Sequence, residues 1–334
     1  MKFKIDPFIV ALLTTVAAAT LLPCHGSFAM VMGWVTDAAI ALLFFLHGAK
    51  LSREAVLAGL GAWRIHGLVF AATFILFPVM GLLLQVLGRG WLNPLISSGI
   101  LYLCLLPSTV QSSIAFTSIG KGNVPAAVCS ASASNLIGIF VTPFLVSLLL
   151  GSKGVGLSWS SVEAIALQLL APFILGHLSR PFTAGLIARW SSVVNKVDRG
   201  SILLVVYTAF SAAVIQGLWH KFSPSDLALT VVLNAVILAL ALVITTWSAR
   251  RLHFSRADEV TVVFCGSKKS LASGVPMAGV LFPPAILGPM ILPLMLFHQM
   301  QLMACAFLAQ RYANSYAETE RKQVAAGEAM PLTA

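Results

Sequence analysis

Two lysines stand side by side, Lys268 and Lys269, in a stretch of apolar sequence long enough to cross a membrane. A charged side chain at the centre of a membrane helix costs roughly 2.5–3.5 kcal/mol on insertion scales. Such a group is tolerated where it faces a cavity, a partner or a substrate. Gly266, Ser267 and Ser270 surround the pair. This segment is therefore the first candidate for a functional site.

A second apolar segment carries polar residues in its middle. Pro107 removes a backbone hydrogen bond and clashes with the preceding helical turn. Five of the next six residues are polar, namely Ser108, Thr109, Gln111, Ser112 and Ser113. Non-helical backbone at membrane depth is tolerated only where protein or water satisfies its polar groups. We therefore expect helix breaks at Pro107 and Gly266; simple kinks, with serines bonded back to their own helix, are the alternative.

Three roles remain open for lysines at such a break. They meet an anionic substrate, they lie near backbone carbonyls in place of a cation, or they lose a proton on burial. No Asp or Glu lies in the middle of a predicted span. Half-helix N-termini carry partial positive charge, which favours an anionic ligand. The candidate substrate-binding or ion-binding residues are Lys268, Lys269, Ser267, Ser270, Gln111, Ser112, Ser113 and Asn135.

No catalytic or metal-binding pattern accompanies these residues. The sequence has no Gly-rich phosphate loop, no arguable Ser-His-Asp or paired-carboxylate arrangement, and no His or Cys group with metal spacing. We therefore expect a protein that is not an enzyme, with no catalytic residues, no confident metal site and no cofactor.

The composition is that of a membrane protein. Of 334 residues, 58% are hydrophobic and only 10% are charged, with a mean hydropathy of +0.93. The net charge of +10 does not indicate nucleic acid, because the basic residues cluster in short loops. Sixteen Lys and Arg fall in the predicted inner segments and three in the outer loops. This asymmetry predicts a multi-pass inner-membrane protein, with the lipid bilayer as partner and both termini cytoplasmic.

The hydropathy pattern predicts ten transmembrane helices and an all-α integral membrane fold. The predicted spans are 6–24, 30–49, 65–87, 95–119, 124–150, 161–179, 200–219, 226–248, 258–281 and 286–310. Asp6–Val10 in the first span resembles Ala171–Leu175 in the sixth, 165 residues later. We therefore expect two inverted five-helix repeats, 1–165 and 166–311, with broken crossing helices four and nine. The polar residues 312–334 are expected to form a disordered cytoplasmic tail.

These segments together resemble the bile acid:sodium symporter superfamily, in particular its bacterial symporter-like branch. The resemblance spans residues 1–311 and rests on Leu42–Ser52, Leu105–Ser113, Gly122–Val124 and Phe264–Ser270. It implies ten helices in two inverted repeats. It also implies a panel domain of spans 1, 2, 6 and 7, and a core domain of spans 3–5 and 8–10. Spans four and nine would cross as broken helices.

The sequence departs from the sodium-coupled members of that family at their ligands. Their Ser-Asn pair after the proline of span four aligns with Ser112 and Ser113, so the Asn is missing. Their Ser and Thr ligands in span five align with Ala127 and Ala131. The Glu that both of their sodium sites share aligns near Cys265. The polar ligands for sodium are therefore largely replaced.

The Gln that follows this Glu in the family aligns with Lys268 or Lys269. A sodium ion about 4 Å from an ammonium is strongly repelled at low dielectric. We therefore expect the fixed lysine charge to replace at least one sodium, which argues against sodium coupling.

The sequence predicts a symporter-like secondary active transporter. It would carry a small organic anion by alternating access, with the lysine pair of span nine at the binding site. Na⁺ and H⁺ both stay open as the coupling ion. The substrate and the oligomeric state also stay open. The alternative is a non-transporting membrane regulator of ion homeostasis.

Overall fold

The computed structural model describes residues 7–50, 60–150, 159–215, 217 and 223–325. Within these ranges the chain forms helices joined by short turns, with no strand. The helices are α1 (Pro7–Leu21), α2 (Gly26–Lys50), α3 (Trp63–Leu87), α4 (Pro94–Leu105), α5 (Gln111–Ile119), α6 (Val124–Leu150), α7 (Trp159–Arg189), α8 (Ser191–Ile215), α9 (Pro224–Arg251), α10 (Arg256–Gly266), α11 (Leu271–Leu281) and α12 (Pro284–Ala325). A 3₁₀ turn, Leu60–Ala62, precedes α3, and a π-helical turn, Ala72–Leu76, lies inside it.

Six of the described helices are long and apolar enough to cross a membrane, namely α2, α3, α6, α8, α9 and α12 as far as Glu318. Shorter apolar helices are Val10–Leu21 within α1 and the whole of α4. Large apolar side chains such as Trp34, Leu83 and Phe307 are exposed on these helices, as a lipid environment requires. The chain is therefore a helical membrane protein with several spans.

Both helix interruptions predicted from the sequence are present. Helix α4 ends at Leu105 and α5 begins at Gln111, whereas α10 ends at Gly266 and α11 begins at Leu271. We call the region where these two interruptions touch the break contact. Each interruption leaves backbone groups without a helical partner, so the surrounding helices must satisfy them.

Two local features fix the interruptions. Ser270 caps α11, because its Oγ accepts a hydrogen bond from the N–H of Ser273 at 3.1 Å. Helix α6 packs directly against the first interruption, because Gly138 has no side chain there. A Cβ at Gly138 would lie 2.6 Å from the Cβ of Pro107.

The helices pack in two groups. Helices α1, α2, α7 and α8 contact one another, and α3–α6 pack with α9–α12. The groups meet where α8 contacts α11 and α12, and where α7 contacts α6. In the first group, α2 and α7 cross with their backbones in contact. A Cβ at Gly48 would lie 2.0 Å from the carbonyl oxygen of Phe173, and one at Gly176 would lie 2.0 Å from that of Phe45.

Some sequence expectations differ from the structure. The expected disorder from 312 onward does not hold for 312–325, which continue α12 through Ala325. These residues are rich in Ala, Glu, Arg, Lys and Gln, which favour helix even without an apolar environment. The repeat boundary between 165 and 166 stays a prediction; it lies near the start of α7, as it did in the predicted sixth span. The expected tail residues 326–334 lie outside the described residues.

Candidate functional site

The carbonyl groups of residues 103 to 108, at the end of α4 and the start of the first interruption, all accept hydrogen bonds, most of them from elsewhere in the protein. Buried carbonyls left without a partner in a membrane protein are costly, so this accounting is expected. The carbonyls of residues 103 to 108 accept, in order, from the Leu106 N–H, the Lys269 ammonium, the Thr142 hydroxyl, the Lys269 ammonium again, the Ser270 N–H and the Asn135 amide.

Lys269 contributes most to this arrangement. Its Nζ is buried and donates to the carbonyl oxygens of Thr73 at 2.8 Å, Cys104 at 2.9 Å and Leu106 at 2.7 Å. An ammonium has three donors, so these three carbonyls use them all. The ring centroid of Phe77 lies 4.2 Å from the same nitrogen. Lys269 therefore occupies a place among carbonyls that a metal cation could otherwise take.

The backbone of Lys269 is held by a second residue. Its N–H donates to Gln301 Oε1 at 2.9 Å, and its carbonyl accepts from Gln301 Nε2 at 2.9 Å. The amide of Gln301 thus replaces the helical partners that Lys269 lacks at the interruption. Gln301 Nε2 also lies 2.8 Å from Nδ1 of His298. Since an amide nitrogen only donates, this His298 nitrogen is the acceptor.

Lys268 has a different environment although it is the neighbouring residue. Its side chain is fully buried, and its Nζ makes no hydrogen bond within the described part of the chain. The nitrogen lies 4.1 Å from the ring centroid of Phe116 and 5.7 Å from that of Phe264. Attraction to the two aromatic faces compensates in part for the missing hydrogen bonds.

Two of the predicted serines are buried at the break contact. Ser113 donates to the carbonyl of Phe264 at 2.9 Å and so links α5 to α10. Ser267 donates to the carbonyl of Val263 within α10, at 2.6 Å. A third serine that the sequence placed after the proline, Ser108, donates to the carbonyl of Cys265 at 2.5 Å. The hydroxyls of Ser113 and Ser108 therefore hold the two broken helices together.

A cavity of about 640 Å³ lies beside the break contact. Its polar wall includes four predicted residues, Gln111, Ser112, Asn135 and Ser270, together with Ser273. Phe44, Leu136, Phe173 and Ile202 are among the apolar residues that line it. The cavity thus combines apolar surface with a few polar groups, as in binding sites for small organic molecules.

Asn135 connects the polar wall to both interruptions. Its Nδ2 donates to the carbonyl of Ser108 at 2.7 Å, and its Oδ1 accepts from the hydroxyl of Ser273 at 2.5 Å. On the same wall, the hydroxyl of Ser112 lies 2.8 Å from that of Thr109. The structure therefore brings Gln111, Ser112, Asn135 and Ser270 to one cavity, and places Lys268, Lys269, Ser113 and Ser267 outside its lining.

The cavity contains basic residues that the sequence analysis counted only as inner loop charges. Lys50, Lys196 and Arg199 line it, and we call these three residues the basic rim. Asp198 also lines the cavity and forms an ion pair with Lys50. Counting charges along the sequence does not predict that these residues line one cavity, because Lys50 lies on α2 and the others lie on α8.

Three of the positions aligned with sodium ligands, Ala127, Ala131 and Cys265, have buried apolar or thiol side chains. Ala127 and Ala131 are fully buried, and Cys265 Sγ contacts the carbonyl of Ala127 at 3.9 Å. Cys265 and Ala127 belong to one hydrophobic cluster. Among the residues that the structure describes, no group of three or more His, Cys, Asp or Glu side chains could hold a metal ion.

Comparison with known proteins identifies the class to which this fold and site belong. The model of the SBF-like CPA transporter family matches residues 6–314, and the chain belongs to this family. It is 60% identical to "Uncharacterized protein PA2026" of Pseudomonas aeruginosa over 94% of both chains. It is 53% identical to "Putative symporter YfeH" of Escherichia coli K12 over 96% of both chains.

More distant relatives carry a more specific name. The chain is 27% identical to "Sodium/bile acid cotransporter 7" of Danio rerio, over 80% of this chain and 81% of the relative. The family resemblance seen in the sequence is therefore confirmed, and these names indicate a transporter rather than an enzyme.

Proposed function

We propose that the protein is a secondary active transporter of an organic anion. The observation that supports this proposal is the cavity, whose lining includes residues of both helix interruptions and the three residues of the basic rim. Three cations against one carboxylate, Asp198, favour an anionic ligand by Coulomb attraction. The apolar wall suits a substrate with an apolar body.

The anion would bind between the basic rim and the polar wall. Gln111 and Ser112 form the first turn of α5, whose free N–H groups and partial positive charge favour a carboxylate or sulfonate. Asn135 and Ser273 would set the width of the site, because their hydrogen bond joins α6 to α11. In this proposal Lys268 and Lys269 support the anion site from outside the cavity lining and do not contact the substrate.

We also propose that transport does not require sodium at the break contact. The Lys269 ammonium already satisfies three carbonyls there, and a sodium ion would need those same oxygens. Alanine and cysteine replace further ligands at Ala127, Ala131 and Cys265. A proton remains open as the coupling ion.

Ten spans in two inverted repeats fit this mechanism. Helix α8 begins and ends 165 residues after α2 does, and Lys269 lies 165 residues after Cys104, whose carbonyl it binds. The two packing groups correspond to the panel and core domains implied by the family resemblance. Alternating access would arise from rocking of α1, α2, α7 and α8 against the other helices.

The test is uptake by the purified full chain in proteoliposomes. Radiolabelled taurocholate, a short dicarboxylate and an alkyl sulfonate are offered with an inward gradient of sodium, of protons, or of neither. We expect saturable uptake of at least one anion that does not depend on sodium. Arg189→Gln, an exposed arginine outside the cavity, is the matched control for Lys196→Gln and Arg199→Gln.

The outcomes separate the proposals. Uptake that falls in both rim variants but not in Arg189→Gln supports the anion site. Uptake that requires the sodium gradient contradicts sodium independence while leaving the carrier in place. No uptake of any anion above empty liposomes would favour a regulator of ion homeostasis that does not transport.

A further inference from the structure

A second concave surface lies on the outside of the helical bundle, between α9 and α12. This groove has a volume of about 680 Å³ and is separate from the cavity beside the break contact. Val243, Trp247 and Phe307 line it and are 64%, 59% and 63% exposed. A surface of this kind within a membrane span is covered by lipid acyl chains.

One end of the groove is basic. Arg250 and Arg251, the last two residues of α9, line this end. Arg250 makes a two-pronged ion pair with Glu259, with both hydrogen bonds at 3.0 Å. Arg251 makes no hydrogen bond that the described residues show, and its guanidinium lies 5.5 Å from the ring centroid of Trp247. The N–H donors of Arg251 are therefore available to a ligand.

We infer that this groove binds an anionic phospholipid. One acyl chain would lie along Val243 and Phe307, and the phosphate would accept hydrogen bonds from Arg251. Trp247 suits the level of the headgroups, where aromatic residues are enriched. Arg250 would add positive charge without leaving Glu259, since its side chain is 66% exposed in the ion pair.

The inference commits to a lipid because of the position of the charges relative to the apolar surface. A free phosphate would need only the arginines, whereas the groove continues from them along several apolar side chains. A guanidinium near an anionic lipid surface raises binding about fivefold. The same residues lie outside the proposed transport site, so the inference does not depend on the identity of the transported anion.

The test is native mass spectrometry of the full chain in detergent with equal amounts of phosphatidylglycerol and phosphatidylcholine. We expect the wild type to retain phosphatidylglycerol severalfold more than phosphatidylcholine. Arg251→Gln should lower that preference about fivefold. Arg189→Gln is the matched control, because Arg189, like Arg251, is the last residue of its helix and has an exposed tryptophan, Trp190, near it in the sequence.

A second variant tests the acyl chain separately. Val243→Trp fills the groove without changing any charge, and should reduce the binding of both lipids while Arg251 is intact. An unchanged preference in Arg251→Gln, an equal loss in Arg189→Gln, or unchanged lipid retention in Val243→Trp would each overturn the inference. If glycerol phosphate added alone binds and neither lipid is retained, the site binds phosphate alone and the inference is also wrong.

Discussion

The break contact and the basic rim both contain cations in a membrane protein, yet their surroundings differ. At the break contact, the Lys269 ammonium donates all three of its hydrogen bonds to backbone carbonyls, and Lys268 faces aromatic rings. At the rim, Lys196 and Arg199 are exposed to the cavity. A cation whose donors are all used by its own protein stabilises the fold, whereas an exposed cation with unused donors is available to a ligand. Each of the following changes tests that distinction.

The largest expected effect is that of Lys269→Met. The substitution leaves the carbonyls of Thr73, Cys104 and Leu106 buried without their donor, at about 1–3 kcal/mol for each unsatisfied group. We expect the free energy of unfolding to fall by at least about 3 kcal/mol in total. Thermal unfolding in detergent, followed by tryptophan fluorescence, measures the change. A melting temperature equal to that of the wild type would show that Lys269 does not hold the break contact.

Gln301→Leu should have the next largest effect. It removes both hydrogen bonds to the backbone of Lys269 and leaves a buried N–H and a buried carbonyl unpaired. We expect the free energy of unfolding to fall by about 2 kcal/mol in the same experiment. Gln310→Leu is the matched control, since Gln310 lies on the same helix but is exposed. Equal losses in both variants would argue against a special role for Gln301.

Lys268→Met should behave in the opposite way to Lys269→Met. The substitution removes a buried charge that has no hydrogen bond within the described residues and puts an apolar chain of similar length beside Phe116 and Phe264. Replacing buried ionic groups by well-packed apolar ones is often neutral or stabilising. We expect a stability within about 1 kcal/mol of the wild type, or higher. A loss of stability as large as that of Lys269→Met would show that the two lysines contribute equally to the stability of the fold.

The smallest effect on stability is expected for Lys196→Gln. The side chain is exposed, so the free energy of unfolding should change by no more than about 0.5 kcal/mol. Uptake of the anion that the wild type carries should nevertheless fall severalfold, because the rim loses one of its three charges. Arg189→Gln should change neither quantity. An unchanged uptake in Lys196→Gln would move the anion site away from the rim.

The sequence predicts the interruptions well because their causes are local. Pro107 cannot donate its backbone hydrogen bond, and Gly266 and the serines after it weaken a helix whatever surrounds them. The polar wall of the cavity was also predictable in part. Gln111, Ser112 and Ser270 lie at the starts of the resumed helices, where an interruption exposes them.

The environment of each lysine could not be predicted from the sequence. The carbonyl of Thr73 that Lys269 binds is 196 residues away and lies in a π-helical turn that no sequence pattern predicts. The basic rim was missed for a similar reason. Lys50 and Asp198 are 148 residues apart, and they meet because α2 packs against α8. Helix packing decides both results.

The most direct test of the central claim is whether sodium stabilises the protein. The melting temperature of the purified wild type is measured in sodium chloride and in choline chloride at equal ionic strength, beside Lys269→Ala. If the Lys269 ammonium takes the place of a metal cation, the wild type melts at the same temperature in both salts, and Lys269→Ala melts higher in sodium. A wild type that is stabilised by sodium, to the same extent as the variant, would contradict this account.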